Sequence, residues 1–156
     1  MSSFTQFSAE MSVRYDREAS IALGVDHWRL TNGFRFYLDN EHSGEWVNVP
    51  AGYLTDGASV PRLFWSAIPP WGAYGQAAVV HDIVCEYLSI TKDGRPHAVS
   101  RKTCDGILLQ AMEALSVPWI TRQAIYGAVS AYRILSGVKT PSATNLKRNL
   151  EAQWRA

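Results

Sequence analysis

Two apolar segments with the pattern of helices each contain side chains that are unfavourable to bury. His81 and Asp82 lie inside residues 77–85, and Asp105 lies inside residues 100–112. Burying an adjacent His and Asp costs free energy unless partners satisfy their polarity. If the loop between the segments turns the chain back, the helices pack antiparallel and bring His81 and Asp105 to a similar height. The spacing therefore predicts a hydrogen bond between these two side chains.

A buried His–Asp pair has two interpretations. An Asp bound to one imidazole nitrogen fixes the tautomer and stabilises the imidazolium that forms when the other nitrogen accepts a proton, which suits a general base. The alternative is a core histidine whose polarity is simply satisfied. Asp82 lies about 100° from His81 around the helix and so serves a different direction. We expect Asp82 to face the upstream loop that carries Asp56.

That loop, at residues 54–62, offers a candidate cation site. Asp56 is followed by Gly57, which allows backbone carbonyls to turn toward a ligand. Asp56, Asp82 and the Gly57 carbonyl would form an all-oxygen site, and such a site favours calcium over zinc. An Asp-Gly pair is also common in ordinary turns, so a plain turn remains the alternative.

Composition excludes several classes of protein. The 156 residues suit one domain, and 47% hydrophobic with 19% charged residues is typical of a globular chain. A net charge of +1 gives no electrostatic footprint for nucleic acid. No apolar run approaches the roughly 18 residues of a transmembrane segment, and the N-terminus lacks a signal peptide pattern. We therefore expect synthesis in a reducing cytoplasm, with Cys85 and Cys104 as free, buried thiols rather than a disulfide.

The chain divides into a β-rich part at residues 1–53 and a helical part that follows a loop at residues 54–73. Asn32-Gly33 separates two apolar runs at residues 27–31 and 34–38, which predicts a β-hairpin. Further strands are predicted at residues 46–49 and 11–15.

The helical core is predicted at residues 74–137 and a C-terminal helix at residues 138–156. Ser100 is a good N-cap for the second core helix, and the third core helix runs from Pro118 to Gly137. Thr140 is a candidate start for the C-terminal helix. The predicted fold class is α+β: a single domain with a small N-terminal antiparallel sheet followed by a helical bundle.

The order of landmarks resembles that of the small prokaryotic and fungal secreted phospholipases A2. These landmarks are Thr55-Asp56 before a Pro-rich loop, Ala-Val-Val-His81-Asp82, Ser100-Arg-x-x-x-Asp105, and Ala-x-Tyr126-x-Ala-Val129, within residues 54–137. The resemblance implies a phospholipase A2-like antiparallel helix pair. It also implies that His81 is the general base that activates water and that Asp105 orients it. By the same resemblance, Asp56, Asp82 and the Gly57 carbonyl would bind calcium.

The string Tyr53-Leu-Thr-Asp-Gly-Ala-Ser-Val-Pro-Arg62, with the His-Asp helix after it, is also similar to a family of short bacteriophage and prophage proteins of unassigned function. This second resemblance implies a phage origin. The first hypothesis is then a calcium-dependent hydrolase that acts on a lipid ester when a phage enters or lyses its host. Trp65, Trp71 and Trp119 are candidates to rim its opening toward a lipid or membrane surface, with packing in the core or sheet as the alternative for each.

The alternative is a non-catalytic virion protein, such as a tail or baseplate component, that retains the His–Asp helices as a scaffold. Its partners would be other virion proteins, and its location would be the host cytoplasm when made and then the virion. Ester hydrolysis separates the two hypotheses, because only the first predicts turnover.

Overall fold

The computed structural model of the chain describes residues 6–57 and 74–154. The helices among them are α1 (Arg17–Leu23), α2 (Gly75–Tyr87), α3 (Arg101–Ala114), α4 (Trp119–Ser136) and α5 (Asn145–Ala152). The strands are β1 (Val13–Tyr15), β2 (Trp28–Leu30), β3 (Phe34–Tyr37), β4 (Glu45–Val49), β5 (Leu54–Thr55), β6 (Ser89–Lys92) and β7 (Arg95–Ala98).

The predicted α+β class is confirmed, with strands dominating the first third and helices the remainder. The strands form two antiparallel sheets, one with the order β1-β2-β5 and one with the order β3-β4-β6-β7. The second sheet reaches into the helical half, because Trp46 of β4 pairs with Thr91 of β6. The connection between α2 and α3, predicted as a loop, therefore contains the hairpin β6–β7, which reverses the chain.

The predicted hairpin around Asn32-Gly33 is wrong, since β2 and β3 lie in different sheets. Both edges of β2 are already occupied, by β1 on one side and by β5 on the other, where Leu30 also donates its N–H to the Tyr53 carbonyl at 2.9 Å. Neither Asn32 nor Gly33 adopts the positive φ that a type I′ turn requires. Gly33 instead permits a close approach, because a Cβ there would lie 3.1 Å from the Val49 carbonyl oxygen.

Helix α3 begins, and helix α4 begins and ends, beside the predicted residues. The Ser100 hydroxyl caps α3 by accepting a hydrogen bond from the Thr103 N–H at 3.2 Å. Pro118 directly precedes α4, and Gly137 ends it with a left-handed φ of 65°. Local capping chemistry therefore sets the bounds of α3 and α4.

Two helices differ from the prediction. The C-terminal helix α5 starts after an N-cap at Thr144 rather than at Thr140. The preceding backbone is engaged elsewhere, since Ser142 donates its N–H to the Cys85 carbonyl at 3.2 Å. Helix α1 was not predicted; Asp16 caps it by accepting the Ala19 N–H at 2.9 Å.

Helix α2 is the central element of the core, and ten of its thirteen residues are buried. It packs against both α3 and β4. His81 is one of the buried ten, so its imidazole must find its partners inside the protein. No helix in residues 6–57 and 74–154 is both long and apolar enough to cross a membrane.

Candidate active site

Three helices meet at the carboxylate of Asp105. His81 on α2 contacts Oδ1 through Nε2 at 2.9 Å, and both side chains are buried, with exposed fractions of 7% and 4%. The predicted hydrogen bond between His81 and Asp105 is thus confirmed. Arg133 on α4 donates from Nε to Oδ2 at 2.7 Å. Arg133 was not predicted from the sequence and lies 28 residues downstream of Asp105.

The Asp105 carboxylate fixes the tautomer of the histidine. Burial raises the pKa of Asp105, but hydrogen bonds from His81 and Arg133 outweigh it and hold that pKa below its usual range. An ionised carboxylate can only accept, so Nε2 of His81 carries the proton of their bond.

The second imidazole nitrogen is in a different situation. Nδ1 of His81 is buried and has no hydrogen-bond partner among the described residues. Burial lowers the pKa of His81, whereas the bond to Asp105, the contact with Cys85 and the charge of Asp82 together raise it to about 10. An imidazole with one nitrogen fixed and the other unsatisfied can exchange a proton with a molecule in an adjoining pocket.

Cys85 lies one turn after His81 but is not placed to be a nucleophile. Its sulfur is 3.5 Å from Nε2, the same nitrogen that donates to Asp105. A thiol is activated when the nearby imidazole nitrogen accepts its proton, and a nitrogen that already carries a proton cannot do this. The hydrogen bond with Cys104 and burial also hold the pKa of Cys85 well above its usual value. Both cysteines are free and buried, as the sequence predicts.

A pocket of about 420 Å³ lies beside this dyad, with His81 and Asp105 in its wall. The other charged residues in its described lining are Asp56, Asp82, Glu86, Arg101, Arg133 and Lys147. Asp56 and Asp82, predicted as cation ligands, therefore open onto the same space as His81. Gly57 follows with φ 74° and donates its N–H to Thr55 Oγ1 at 3.0 Å, but it is not among the described lining residues.

The oxygen donors of Asp56, Asp82 and Gly57 are of the type that binds a hard cation, but they are too few to complete its coordination. Two carboxylates and a backbone carbonyl are calcium-type oxygens, whereas calcium takes six to eight of them. Within residues 6–57 and 74–154, no three His, Cys, Asp or Glu side chains are grouped to hold a metal. A calcium ion at Asp56 and Asp82 would therefore need further oxygens from water or from a bound substrate.

Helix α5 supplies a second wall of the pocket, which was not predicted from the sequence. The Tyr53 hydroxyl donates to Glu86 at 3.0 Å, and the Lys147 ammonium, also bonded to Glu86, lies 4.1 Å from the centre of the Tyr53 ring. Glu151 accepts the Leu54 N–H at 2.9 Å, which ties α5 to β5. Burial, followed by the charge of Glu86, raises the pKa of Tyr53 well above its usual value. Tyr53 is therefore a neutral hydroxyl at this wall.

The predicted aromatic rim cannot be placed in full. Trp65 and Trp71 lie outside the described residues. Trp119 is exposed at the start of α4 and is not among the described residues that line the pocket.

Comparison with known proteins gives a family but no activity. A family profile described as "Protein of unknown function (DUF1353)" matches residues 28–129, which include His81 and Asp105 but end before Arg133. A protein of Sinorhizobium fredii (strain NBRC 101917 / NGR234), described as "Uncharacterized protein y4jT", is 38% identical over 107 residues. That alignment covers 67% of this chain but only 28% of the relative, so the chain spans well under two thirds of that protein. No solved structure gives a significant match.

Proposed function

Because the chain belongs to the DUF1353 family of proteins of unknown function, its activity must be inferred from the pocket, and we propose that it is a hydrolase of lipid esters in which His81 activates water. One observation carries the proposal. Among the described residues, Nδ1 of His81 is buried without a hydrogen-bond partner, whereas Nε2 bonds to Asp105, and His81 lines the pocket. An unsatisfied buried nitrogen is unfavourable unless a bound molecule completes it.

The geometry supports the following proton transfers. Unprotonated Nδ1 accepts a proton from a water whose oxygen attacks the acyl carbon of the ester. The Asp105 carboxylate stabilises the imidazolium that results, and Arg133 holds that carboxylate from its other oxygen. His81 then returns the proton to the departing alkoxide, so ester and water become acid and alcohol. Since the pKa of His81 is about 10, the imidazolium dominates near neutral pH, and the rate should rise with pH as the form with an unprotonated Nδ1 grows toward pH 10.

Calcium is part of the proposal, with Asp56, Asp82 and the Gly57 carbonyl as its protein ligands. A bound cation would supply positive charge beside the ester carbonyl, where negative charge develops during attack. It would also offset the Asp82 charge, one of the groups that raise the pKa of His81.

Calcium should increase the stability of the wild type by about 2.7 kcal/mol at one hundred times its dissociation constant and leave the stability of Asp82→Asn unchanged. Titration without heat, together with an unchanged melting curve, would remove calcium from the proposal.

The choice of a phospholipid ester is supported by the order of landmarks from Thr55 to Val129, which resembles that of the phospholipases A2. The phage setting is supported by the string at residues 53–62 and the His-Asp helix after it. The pocket itself favours a substrate with both polar and apolar parts. It presents Lys147 and Arg101 near an apolar wall that includes Leu54 and Val129. Such a mixed lining suits an amphipathic ester better than a purely polar one.

A fluorogenic phospholipid in mixed micelles tests the activity with and without millimolar calcium. We expect turnover by the wild type and a loss of at least about a hundredfold in His81→Ala. His97→Ala is the matched control, because His97 is exposed on β7 and does not line the pocket. Equal background rates for wild type and His81→Ala would reject the hydrolase and favour the non-catalytic virion role.

A further inference from the structure

Helix α4 presents a second face that the pocket does not use. Its inner face buries Ile125 and Val129 against the core. Its outer face carries Ile120, Ile134 and Leu135 with exposed fractions of 77%, 70% and 86%. Helical geometry places these three on the side opposite the buried pair. Large apolar side chains at such exposures on one helix face mark an interaction site.

This outer face has no charge. The charged residues of α4 are Arg122 and Arg133, and both turn toward their own chain. Arg122 donates to the Val117 carbonyl at 3.1 Å, and Arg133 donates to Asp105 at 2.7 Å. A helix that lies on a lipid surface usually flanks its apolar face with free cationic side chains. The absence of such side chains in α4 favours a protein partner whose contacting face is also uncharged.

The order of residues on the outer face identifies that partner. Outward from its centre at Gly127-Ala128, the helix carries Ala124 and Ala131 at equal distances, followed by Ile120 and Leu135 at equal distances. Such a face is self-complementary under a two-fold axis, which is the symmetry of most homodimers. Two antiparallel copies would place Ile120 beside Leu135 of the second copy and Ala124 beside its Ala131.

We infer that the outer face of α4 binds the same face of a second copy of this chain, as an antiparallel pair of α4 helices centred between Gly127 and Ala128. The antiparallel arrangement also sets each helix N-terminus beside the C-terminus of the other, so the two macrodipoles attract. Exposed Ala and Gly residues at the centre allow the helix axes to approach to about 8 Å, the close end of helix packing.

The outer face of α4 is small for a dimer interface. The outer face with the flanking Trp119 would bury on the order of 600 Å² of apolar surface per copy. This value lies at the low end for specific complexes, so the dimer should be reversible and should form within the micromolar concentration range.

Sedimentation velocity of the 156-residue chain from about 2 to 200 µM tests this inference directly. The wild type should pass from monomer to dimer, and Gly127→Arg should weaken association at least about tenfold. A Cβ at Gly127 meets no atom within 4 Å and the position is exposed, so a longer side chain can extend into solvent in the monomer. Gly127→Ala controls for helix propensity and should still dimerise. A wild type that stays monomeric at 200 µM, or a Gly127→Arg that dimerises equally, overturns the inference.

A charge pair tests the register. Ile120→Lys and Leu135→Glu should each weaken the dimer more than tenfold, whereas the double variant should recover most of the loss, because each new lysine faces a new glutamate across the two-fold axis. Failure of the double variant to recover overturns the antiparallel register.

A monomer that sediments with phosphatidylcholine–phosphatidylglycerol vesicles, and loses this binding in Leu135→Glu, would assign the face to lipid and overturn the dimer. These readouts do not depend on catalysis.

Discussion

Replacing Asp105 with Asn should reveal how strongly the buried dyad depends on one charge. Asp105 is 4% exposed and accepts from two cationic groups, His81 Nε2 at 2.9 Å and Arg133 Nε at 2.7 Å. Asn keeps the shape but removes the charge, which leaves the buried imidazolium without a counterion. Breaking a buried ion pair in this way costs about 3–5 kcal/mol. We expect Asp105→Asn to lose about 3 kcal/mol of unfolding free energy, because the amide oxygen retains one weaker hydrogen bond.

Arg133→Gln is the matched control for this variant. The Arg133 side chain is about a quarter exposed, so solvent screens its interaction with the same carboxylate. Its loss should cost about 1 kcal/mol, since Asp105 keeps His81 as a partner. The larger stability loss in Asp105→Asn would therefore come from the buried His81 and not from Arg133.

The pH dependence has a definite sign. The pKa of His81 is raised in the fold to about 10 from an ordinary value of 6.5, so its contribution is complete below pH 6.5 and is lost as pH rises toward 10. The pKa of Asp105 is lowered, so its contribution is lost only in acid, as pH falls through its folded pKa. Urea unfolding should show the largest difference between wild type and Asp105→Asn near pH 5.5 and a smaller one at pH 9.5. A difference below about 1 kcal/mol at pH 5.5, or one that grows with pH, would refute this reasoning.

Two other predictions concern the surroundings of the site. Cys85 and Cys104 should resist a disulfide reagent in the folded protein and react fully in urea, since both are buried thiols; rapid reaction without denaturant would contradict that packing. Gly52→Ala should destabilise by about 2–3 kcal/mol, because φ is 88° and the new Cβ would lie 2.9 Å from the Trp154 ring. Gly94→Ala, with φ 79° and open space, should lose only about 1 kcal/mol in the same urea titration, and equal losses would mean that Trp154 does not pack there.

The contact between His81 and Asp105 could be predicted because helix geometry fixes it locally. Once the chain reverses between two helices, a rise of about 1.5 Å per residue determines which residues stand at the same height. Ser100 and Gly137 were predicted for the same reason, since a cap depends on its own turn of helix. The cation site stays a prediction: Asp56 and Asp82 line the same pocket, and coordination of a cation there depends on oxygens from outside this pair.

Arg133 was not predictable in the same way. An amphipathic helix reveals its buried face when the opposite face is polar, but the outer face of α4 carries Ile120, Ile134 and Leu135. Both faces are apolar, so periodicity alone cannot show that Arg133 turns inward.

The prediction of a hairpin at Asn32-Gly33 was wrong because β2 pairs with other strands. A strong local turn pattern lost to β1 and β5, which occupy both edges of β2 and come from distant parts of the chain. The same holds for α5, whose start is delayed because residues 142 and 143 pair with the end of α2.

The measurement that tests the central claim most directly is the rate of phospholipid ester hydrolysis by wild type, Cys85→Ala and His81→Ala at equal protein concentration. If His81 activates water, Cys85→Ala keeps most of the wild-type rate, because the thiol shares the nitrogen that donates to Asp105 and takes no part in proton transfer. His81→Ala should then fall by about a hundredfold or more while remaining folded by circular dichroism. A rate that vanishes in Cys85→Ala, or that survives in His81→Ala, would contradict the account.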